Sequence, residues 1–396
     1  MDNTKLVWLH TAESKVPWRV SCHGLWQDIF GDTQSYLTYY EQYKWKNNRV
    51  LLLTDEQELC SMLHLNPYSI RQERTLQELY YIVGVCTKEA RRGRGYMGTL
   101  LREAFRWLYQ CKQPWTYLMP AAEAIYTPYD FAAVYSVGKQ RIIFEKGESR
   151  KKTKDRTKGA VTVLAFSRAS REEKSQLVEL AERCLNKNYQ VYVVHDERYF
   201  SEIDREMKAC QGELLLLERQ GTVIGYTEYM YEEGEEIPFE IAETVLEETC
   251  RKEGFWAILE YLWEKHGGKE YQVLFTESGF LPELSRESWN YPDTEKVGME
   301  RAKVLSFQSG CQIMARVVHF SKMAERMKKP AQWENTVCLG ITDSFLPENN
   351  GVWKICFGRE ENIVERTNQK PTVSMNIAEF TRICFEQYAM FINDLV

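Results

Sequence analysis

The chain has 396 residues, 44% of them hydrophobic and 13% aromatic, which suits two or three packed domains and excludes a disordered chain. Its formal net charge of −6 excludes a general nucleic-acid binder, which needs a dominant basic surface, and suits a cationic partner. Eleven cysteines, odd in number and scattered without a C-x-x-C pair, fit neither a disulfide framework nor a zinc site, so no metal is expected. The opening Met1-Asp2-Asn3-Thr4-Lys5 lacks the basic and apolar regions of a signal peptide. No apolar run approaches the ~20 residues that span a bilayer, so a soluble, cytoplasmic protein is expected.

Along the chain, Trp26-Gln27-Asp28-Ile29-Phe30-Gly31-Asp32 comes first. Carboxylates and aromatic faces suit a polycation, and an amphipathic helix docking its aromatics would read the same way. Val50–Leu53 and Glu58–Leu65 then bracket Thr54-Asp55-Glu56-Gln57 as a hairpin. Asn66-Pro67 is expected to end its second strand, because proline cannot extend a central ladder. Leu79–Thr87 forms the next strand and leads into Lys88-Glu89-Ala90-Arg91-Arg92-Gly93-Arg94-Gly95-Tyr96. A helix follows, with Leu100, Leu101, Ala104, Phe105 and Leu108 on one face. Gly93 and Gly95 permit φ > 0 and close approach of a ligand to the backbone, and the first turn of the helix offers N–H groups and the positive end of its dipole. With Arg91, Arg92 and Arg94, this is a turn built for a pyrophosphate. The nucleoside-triphosphate loop G-x-x-x-x-G-K-S/T is absent, and the dinucleotide pattern G-x-G-x-x-G is not completed.

Trp115–Pro120 reads as a short buried strand, followed by Ala121-Ala122-Glu123-Ala124-Ile125-Tyr126-Thr127-Pro128-Tyr129. Residues 145–159 are polar and basic and read as a linker or hairpin tip. A second unit opens at Val161–Leu164. There Ser170 and Glu173 make a capping box for a helix carrying Leu177, Leu180, Ala181 and Cys184. Leu214–Glu218 and Val223–Tyr231 repeat the first hairpin, but Glu247–Gly254 lacks the G-x-G turn and brings acids that repel phosphate. In the third unit Thr336–Asp343 and Val352–Gly358 flank a turn. Asn376 with Glu379 caps a last helix bearing Ile377, Phe380, Ile383, Cys384 and Phe385. The chain ends in apolar Phe391-Ile392-Asn393-Asp394-Leu395-Val396.

The glycine turn resembles the coenzyme A loop of GNAT-type acetyltransferases, with Ala90 where Gln or Arg is usual. Together with S-M-L-H-L-N-P-Y at 61–68 and L-M-P-A-A-E-A-I-Y at 118–126, it resembles the enhanced intracellular survival (Eis) acetyltransferases over the whole chain. That resemblance implies an α/β architecture of tandem GNAT folds and a sterol-carrier-like domain: residues 1–150 binding acetyl-CoA, a degenerate copy at 151–302, and 303–396 carrying a catalytic tail. It implies acetyl-CoA held by Val83, Gly84, Val85, Arg91, Arg92, Gly93, Arg94, Gly95, Tyr96, Ala121 and Ala122, with the Val85 N–H facing the thioester oxygen. Tyr126 is the implied general acid, with Tyr129 as a substitute, and the Val396 carboxylate the implied base. His64 and Glu123 are the alternative bases, each with an ordinary structural reading. Trp26, Asp28 and Phe30, with Asp32 nearby, fall where the family places part of its acceptor groove. The expected reaction is acetyl transfer to a primary amine of an aminoglycoside- or polyamine-like molecule, by a homo-oligomer, hexameric by the same resemblance, without nucleic-acid or membrane partners. A protein-lysine or N-terminal acyltransferase is the second enzyme reading. A non-catalytic lipid-binding or scaffold protein is the third.

Overall fold

The computed structural model describes residues 3–146, 160–231, 239–266, 272–277 and 299–393. Their contacts gather into two compact units. One comprises Met1–Ser136, Tyr189–Val193 and Cys311–Val396, the other Val137–Asn188 and Val194–Gly310. From Cys311 on, the third sequence segment thus shares a unit with the first.

The first unit opens with β1 (Thr4–Leu9), a short α1 (Ala12–Lys15), α2 (Arg19–Phe30) and α3 (Gln34–Tyr43). Thr11 and Thr33 cap α1 and α3 through their side chains, and left-handed Gly31 stops α2. β2 (Arg49–Asp55), β3 (Glu58–Gln72) and β4 (Thr75–Thr87) follow, each antiparallel to its predecessor. β3 does not end at Asn66-Pro67 as the sequence suggests. Pro67 sits opposite Tyr80 inside the ladder. It falls after the last β2 pairing, at Leu65, and before the next neighbour on that edge, at Ile70, so a missing N–H is tolerated there.

α4 (Tyr96–Gln110), β5 (Trp115–Leu118), the single-turn α5 (Glu123–Tyr126) and β6 (Ala132–Lys146) complete this stretch. Leu100, Leu101, Ala104, Phe105 and Leu108 of α4 are fully buried, the face their spacing predicts. Side-chain alternation assigns the two faces of the sheet. Tyr80 meets Trp107 of α4 edge-on, whereas Val83, three residues on, shares the opposite face with its partner His64. His64 in turn lies against Trp26 of α2 and Tyr40 of α3.

Two irregularities interrupt the pairing of β4 near Gly84. β4 is parallel to β5 through one register pair, Tyr81 with Tyr117, and its later residues leave that strand. Against β3, Met62 pairs with Cys86 but His64 with Val83, so β4 carries one extra residue between them. Gly84, at φ +61, absorbs that bulge. Gly84 and Val85 consequently have no register partner on either neighbouring strand.

The second unit contains β7 (Thr162–Ala165) and α6 (Arg171–Asn188), whose Ser170–Glu173 capping box forms as expected. The intervening residues 147–159 of the expected linker lie outside the described residues, while Glu145 and Lys146 belong to β6. β8 (Val191–Val193) belongs to the first unit. The second resumes with α7 (Glu197–Ala209), β9 (Glu213–Arg219), β10 (Thr222–Tyr231), β11 (Phe239–Leu246), α8 (Arg251–Lys265) and β12 (Gln272–Glu277). Strand, helices, three antiparallel strands, helix and a parallel strand repeat the order from β1 to β5; here β7 stands for β1, β9 to β11 for β2 to β4, α8 for α4 and β12 for β5.

β13 (Met299–Val317) returns to the first unit and pairs antiparallel with β5 from Met314 to Val317. After α9 (Phe320–Ala324), a four-stranded sheet is built from β14 (Thr336–Thr342), β15 (Gly351–Cys356), β16 (Ile363–Arg366) and β17 (Val373–Asn376), in the order β16-β15-β14-β17. α10 (Ile377–Phe385), closed by its Asn376–Glu379 capping box, and β18 (Met390–Phe391) end the described fold. β18 pairs with β8, which itself pairs with β3. Arg316, with no exposed side-chain surface, bonds Asp343 at 2.6 Å and the Tyr129 carbonyl at 3.1 Å, and lies 3.8 Å from Asp130.

A Cβ built on Gly84 would sit 2.4 Å from the Trp26 ring, whereas one on Gly93, also at positive φ, meets nothing within 4 Å. Gly84→Ala is therefore expected to cost about 2–4 kcal/mol, from left-handed strain plus overpacking, and Gly93→Ala about 1 kcal/mol. Urea unfolding midpoints of the two variants measure the difference.

Candidate active site

The turn before α4 is open where a ligand would approach. Arg91 and Arg92 close a short turn by bonding back to Lys88 and Glu89, and Gly93 and Gly95 then take φ near +75. Gly95 is the N-cap and offers no side chain, so the first N–H groups of α4 have no side-chain cap. Nothing lies within 4 Å of a Cβ on either glycine. The arginines divide. Arg91 bonds Asp55 at 3.0 Å and Glu58 at 3.2 Å, and its charge is directed at the β2–β3 hairpin. Arg92 bonds the Thr87 carbonyl and, like Arg94, is exposed and forms no ion pair among the described residues. Tyr96 points inward, buried, its hydroxyl without a hydrogen-bond partner among the described residues, so it presents its backbone to the turn.

Next to this turn, β4 and β5 diverge after Tyr81. Val83 and Val85 are half-buried beside that gap and Gly84 is buried under Trp26. Ala121 and Ala122 lie exposed just beyond β5, and Glu123 is exposed at the start of α5. Tyr126 closes α5 with its ring buried against Phe131. Burial, and then the nearby Cys86 thiol, push its hydroxyl up to about 12. No described group hydrogen-bonds that hydroxyl, and it is not sealed from solvent. Tyr129 packs its ring on Gly98 in the first turn of α4 and against Phe345.

On the other face of the sheet, α2 and α3 enclose a cavity above β3. Trp26 lines it, donating Nε1–H to Asp32 at 2.6 Å and packing on Phe30, which is 45% exposed. Asp28, two residues from Trp26 and so on another face of α2, is exposed. The sequence motif thus brings Trp26, Phe30 and Asp32 together and leaves Asp28 aside. Across the cavity His23 Nδ1 meets Glu41 Oε1 at 2.8 Å, and Arg19 Nε donates to Glu41 Oε2 at 2.9 Å. Burial raises the Glu41 pKa, but the bonds from Arg19 and His23 outweigh it and leave it below its ordinary value. His64, 1% exposed, bonds the Tyr40 hydroxyl through Nδ1 at 2.9 Å. Its Nε2 has no partner among the described residues.

The tail is drawn inward as far as it is described. Phe391, Ile392 and Asn393 are buried, and the Tyr135 hydroxyl donates to Asn393 Oδ1 at 3.1 Å. Val396, the base implied by the resemblance, lies outside the described residues.

Residues 20–134 match the acetyltransferase (GNAT) domain family, and residues 322–389 match the sterol carrier protein domain family. The fold is that of a GNAT acyltransferase. Its overall structure is similar to that of a probable N-acyltransferase of unknown function from Enterococcus faecalis, at 16% identity and a TM-score of 0.71, over 96% of this chain and 89% of that one. A GCN5-related N-acetyltransferase from Anabaena variabilis matches over the same shares at 14% identity and a TM-score of 0.67. Eis1 from Mycobacterium abscessus does so at 14% and 0.58, again over 96% and 89%. No curated protein matches the sequence at a significant level. Among the described residues no helix is long and apolar enough to cross a membrane.

In this acyltransferase the sequence reading missed His23 and Glu41. They are 18 residues apart on two helices, and no motif spacing links them. His64 was legible only as a lone histidine; its burial and its neighbours are tertiary facts. Burial, and then the charge of Lys15, lower its pKa to about 3, so its ring stays neutral above about pH 4. Imidazole nitrogen NMR shifts of His64 are expected to stay flat from about pH 5 to 8. A titration with a midpoint near 6.5 would place the ring in solvent instead.

Proposed function

We propose that the protein is an acetyl-CoA-dependent N-acetyltransferase acting on primary amines of a polycationic small molecule. One observation carries the reading. Tyr126, its ring buried and its hydroxyl engaged by no described group, closes the single-turn α5 just after β5, from which β4 has parted, and the start of α4 beyond the Gly93–Gly95 turn has no side-chain cap. A pyrophosphate at the Gly93–Gly95 turn would receive the first N–H groups of α4, with Arg92 and Arg94 free to meet its charge.

In the proposed reaction the amine nitrogen bonds to the thioester carbonyl carbon and the C–S bond breaks. The Val85 N–H, at the bulge, would stabilise the oxyanion, and Tyr126 would protonate the departing sulfur. The amine's proton is assigned to the Val396 carboxylate, ionised at neutral pH. The burial of Phe391, Ile392 and Asn393 supports that assignment. Acceptor positivity is favoured by Asp28 and Asp32 near the α2 terminus and by the net charge of −6. A cytoplasmic homo-oligomer, hexameric, completes the proposal.

The deciding experiment is thiol release from acetyl-CoA with amines, aminoglycosides and lysine peptides in parallel. Release with none of the amines would remove the reading, and release with lysine peptides alone would transfer it to protein substrates. Tyr126→Phe is expected to lower kcat ~10²–10⁴-fold with acetyl-CoA affinity unchanged. Because the hydroxyl is neutral below its raised pKa, the wild-type rate should show no alkaline fall from this group between pH 7 and about 10. A short C-terminal extension is expected to cripple turnover, while the same residues at the N-terminus leave it intact. Equal rates for both tagged proteins would exclude the terminal base.

A further inference from the structure

The segment that carries Tyr126 has little to stabilise it from within. α5 is a single turn, its N-cap Ala122 makes no side-chain bond, and one 3-10 turn, Thr127–Tyr129, follows it. So short a helix does not persist on its own. From Ala121 to Pro128 every residue except Tyr126 is exposed. Asp130 then closes the turn in a left-handed conformation, at φ +63. The place of the Tyr126 hydroxyl is therefore set by whatever this segment is packed on and bonded to.

The Tyr126 ring meets Phe131 edge-on, with centroids 5.9 Å apart. Three residues on, the Tyr129 ring lies against Gly98 of α4 and against Phe345, 5.7 Å away. The Tyr129 carbonyl accepts from Arg316 Nε at 3.1 Å, and Asp130 Oδ2 accepts from the Ser344 hydroxyl at 3.0 Å. Phe345, Arg316 and Ser344 all come from the C-terminal stretch. Arg316 is itself held on several sides. β13 places it opposite Thr116 of β5, Nη1 donates to the Val317 carbonyl at 2.9 Å, and Nη2 donates to Asp343 Oδ1 at 2.6 Å. The Phe105 ring of α4 lies 4.4 Å from the guanidinium. A planar group fixed in this way aims its Nε–H in one direction, at the turn that ends the Tyr126 segment.

We propose that Arg316 is a positioning residue for the acid: through the Tyr129 carbonyl it fixes where the Tyr126 hydroxyl stands relative to the start of α4. The link to α4 is direct. The Tyr129 ring rests on Gly98 in the first turn of that helix, and Phe105 of the same helix lies against the guanidinium. Arg316 acts at one remove, because its side chain has no exposed surface with which to meet a substrate. The proposal rests on the acetyltransferase reading above, with Tyr126 as the acid. It gives the C-terminal stretch a part in turnover that requires no lipid.

The test uses the full chain and the amine acetylated fastest in the thiol-release assay. Lysine at 316 keeps a charge for Asp343, but a single ammonium cannot serve both Asp343 and the Tyr129 carbonyl as the planar fork does. Arg316→Lys is expected to lower kcat on the order of ten- to a hundredfold, the effect of displacing a reacting group by about 1 Å. Acetyl-CoA affinity by calorimetry and the amine KM should not change. Ser344→Ala, at an exposed side chain, is expected to lower kcat about two- to fivefold, and keeps the test open should Arg316→Lys not fold. A double-mutant cycle supplies the readout that a merely structural role would not move. In a Tyr126→Phe background both substitutions are expected to cost nothing further, since the hydroxyl they position is gone. Wild-type rates in every variant that folds, or equal losses with and without the Tyr126 hydroxyl, overturn the positioning role and leave the acetyltransferase reading standing. Wild-type turnover by Tyr126→Phe, or no thiol release with any amine, overturns that reading of Tyr126 and this proposal with it.

Discussion

The left-handed turn of Gly84 is the constraint on which the site depends. One extra residue in β4 must be accommodated without breaking its ladder to β3, and only a residue lacking Cβ fits under the Trp26 ring at that angle. The bulge leaves Gly84 and Val85 without strand partners just where β4 has left β5. Trp26, packed on Gly84, in turn lines the cavity beside His64.

That cavity shows how buried polarity can be organised over distance. Lys15 is 1% exposed, and burial, then Arg49, lower its pKa to about 8, so it is still an ammonium at neutral pH. Its bonds to the Asn48 amide and to the Trp45 and Asn48 carbonyls tie α1 to the turn after α3. Asn48 passes that order to Tyr40, Asn66 and finally His64. Within it the Lys15 bond fixes the Asn48 amide, while Asn66 Nδ2 and His64 Nε2 have no hydrogen-bond partner among the described residues.

Much of the scaffold was legible because it rests on local rules. The α4 stripe, the Gly93 and Gly95 turn and the Ser170 and Asn376 capping boxes each depend on spacings of a few residues, and each formed. Pro67 misled because its tolerance depends on which strands happen to flank β3. Arg91 reads as one of three equivalent cations, but Asp55 and Glu58, far earlier in the chain, claim it. His23 and Glu41 meet only through the packing of α2 on α3. The second unit repeats the strand order without repeating the turn: Glu247 and Glu248 are instead held by Arg183 and Lys187 of α6. Topology survived there while the phosphate chemistry did not.

Arg316 has a bearing on modularity. Its guanidinium is sealed among Asp343 of the sterol-carrier-like stretch, Asp130, and the carbonyl of Tyr129, three residues after Tyr126. Asp343 also accepts from the backbone of Phe345 and Leu346 and from Asn349. Removing either party leaves the other with an uncompensated charge in a dry place, a far larger loss than that of a surface pair. The acetyltransferase stretch and the C-terminal stretch are thus not interchangeable cassettes. The ion pair itself lies within the C-terminal stretch; what crosses to the acetyltransferase stretch is the Arg316 bond to the Tyr129 carbonyl and its approach to Asp130, so a chimera joining one to a foreign counterpart would have to keep those two groups opposite Arg316.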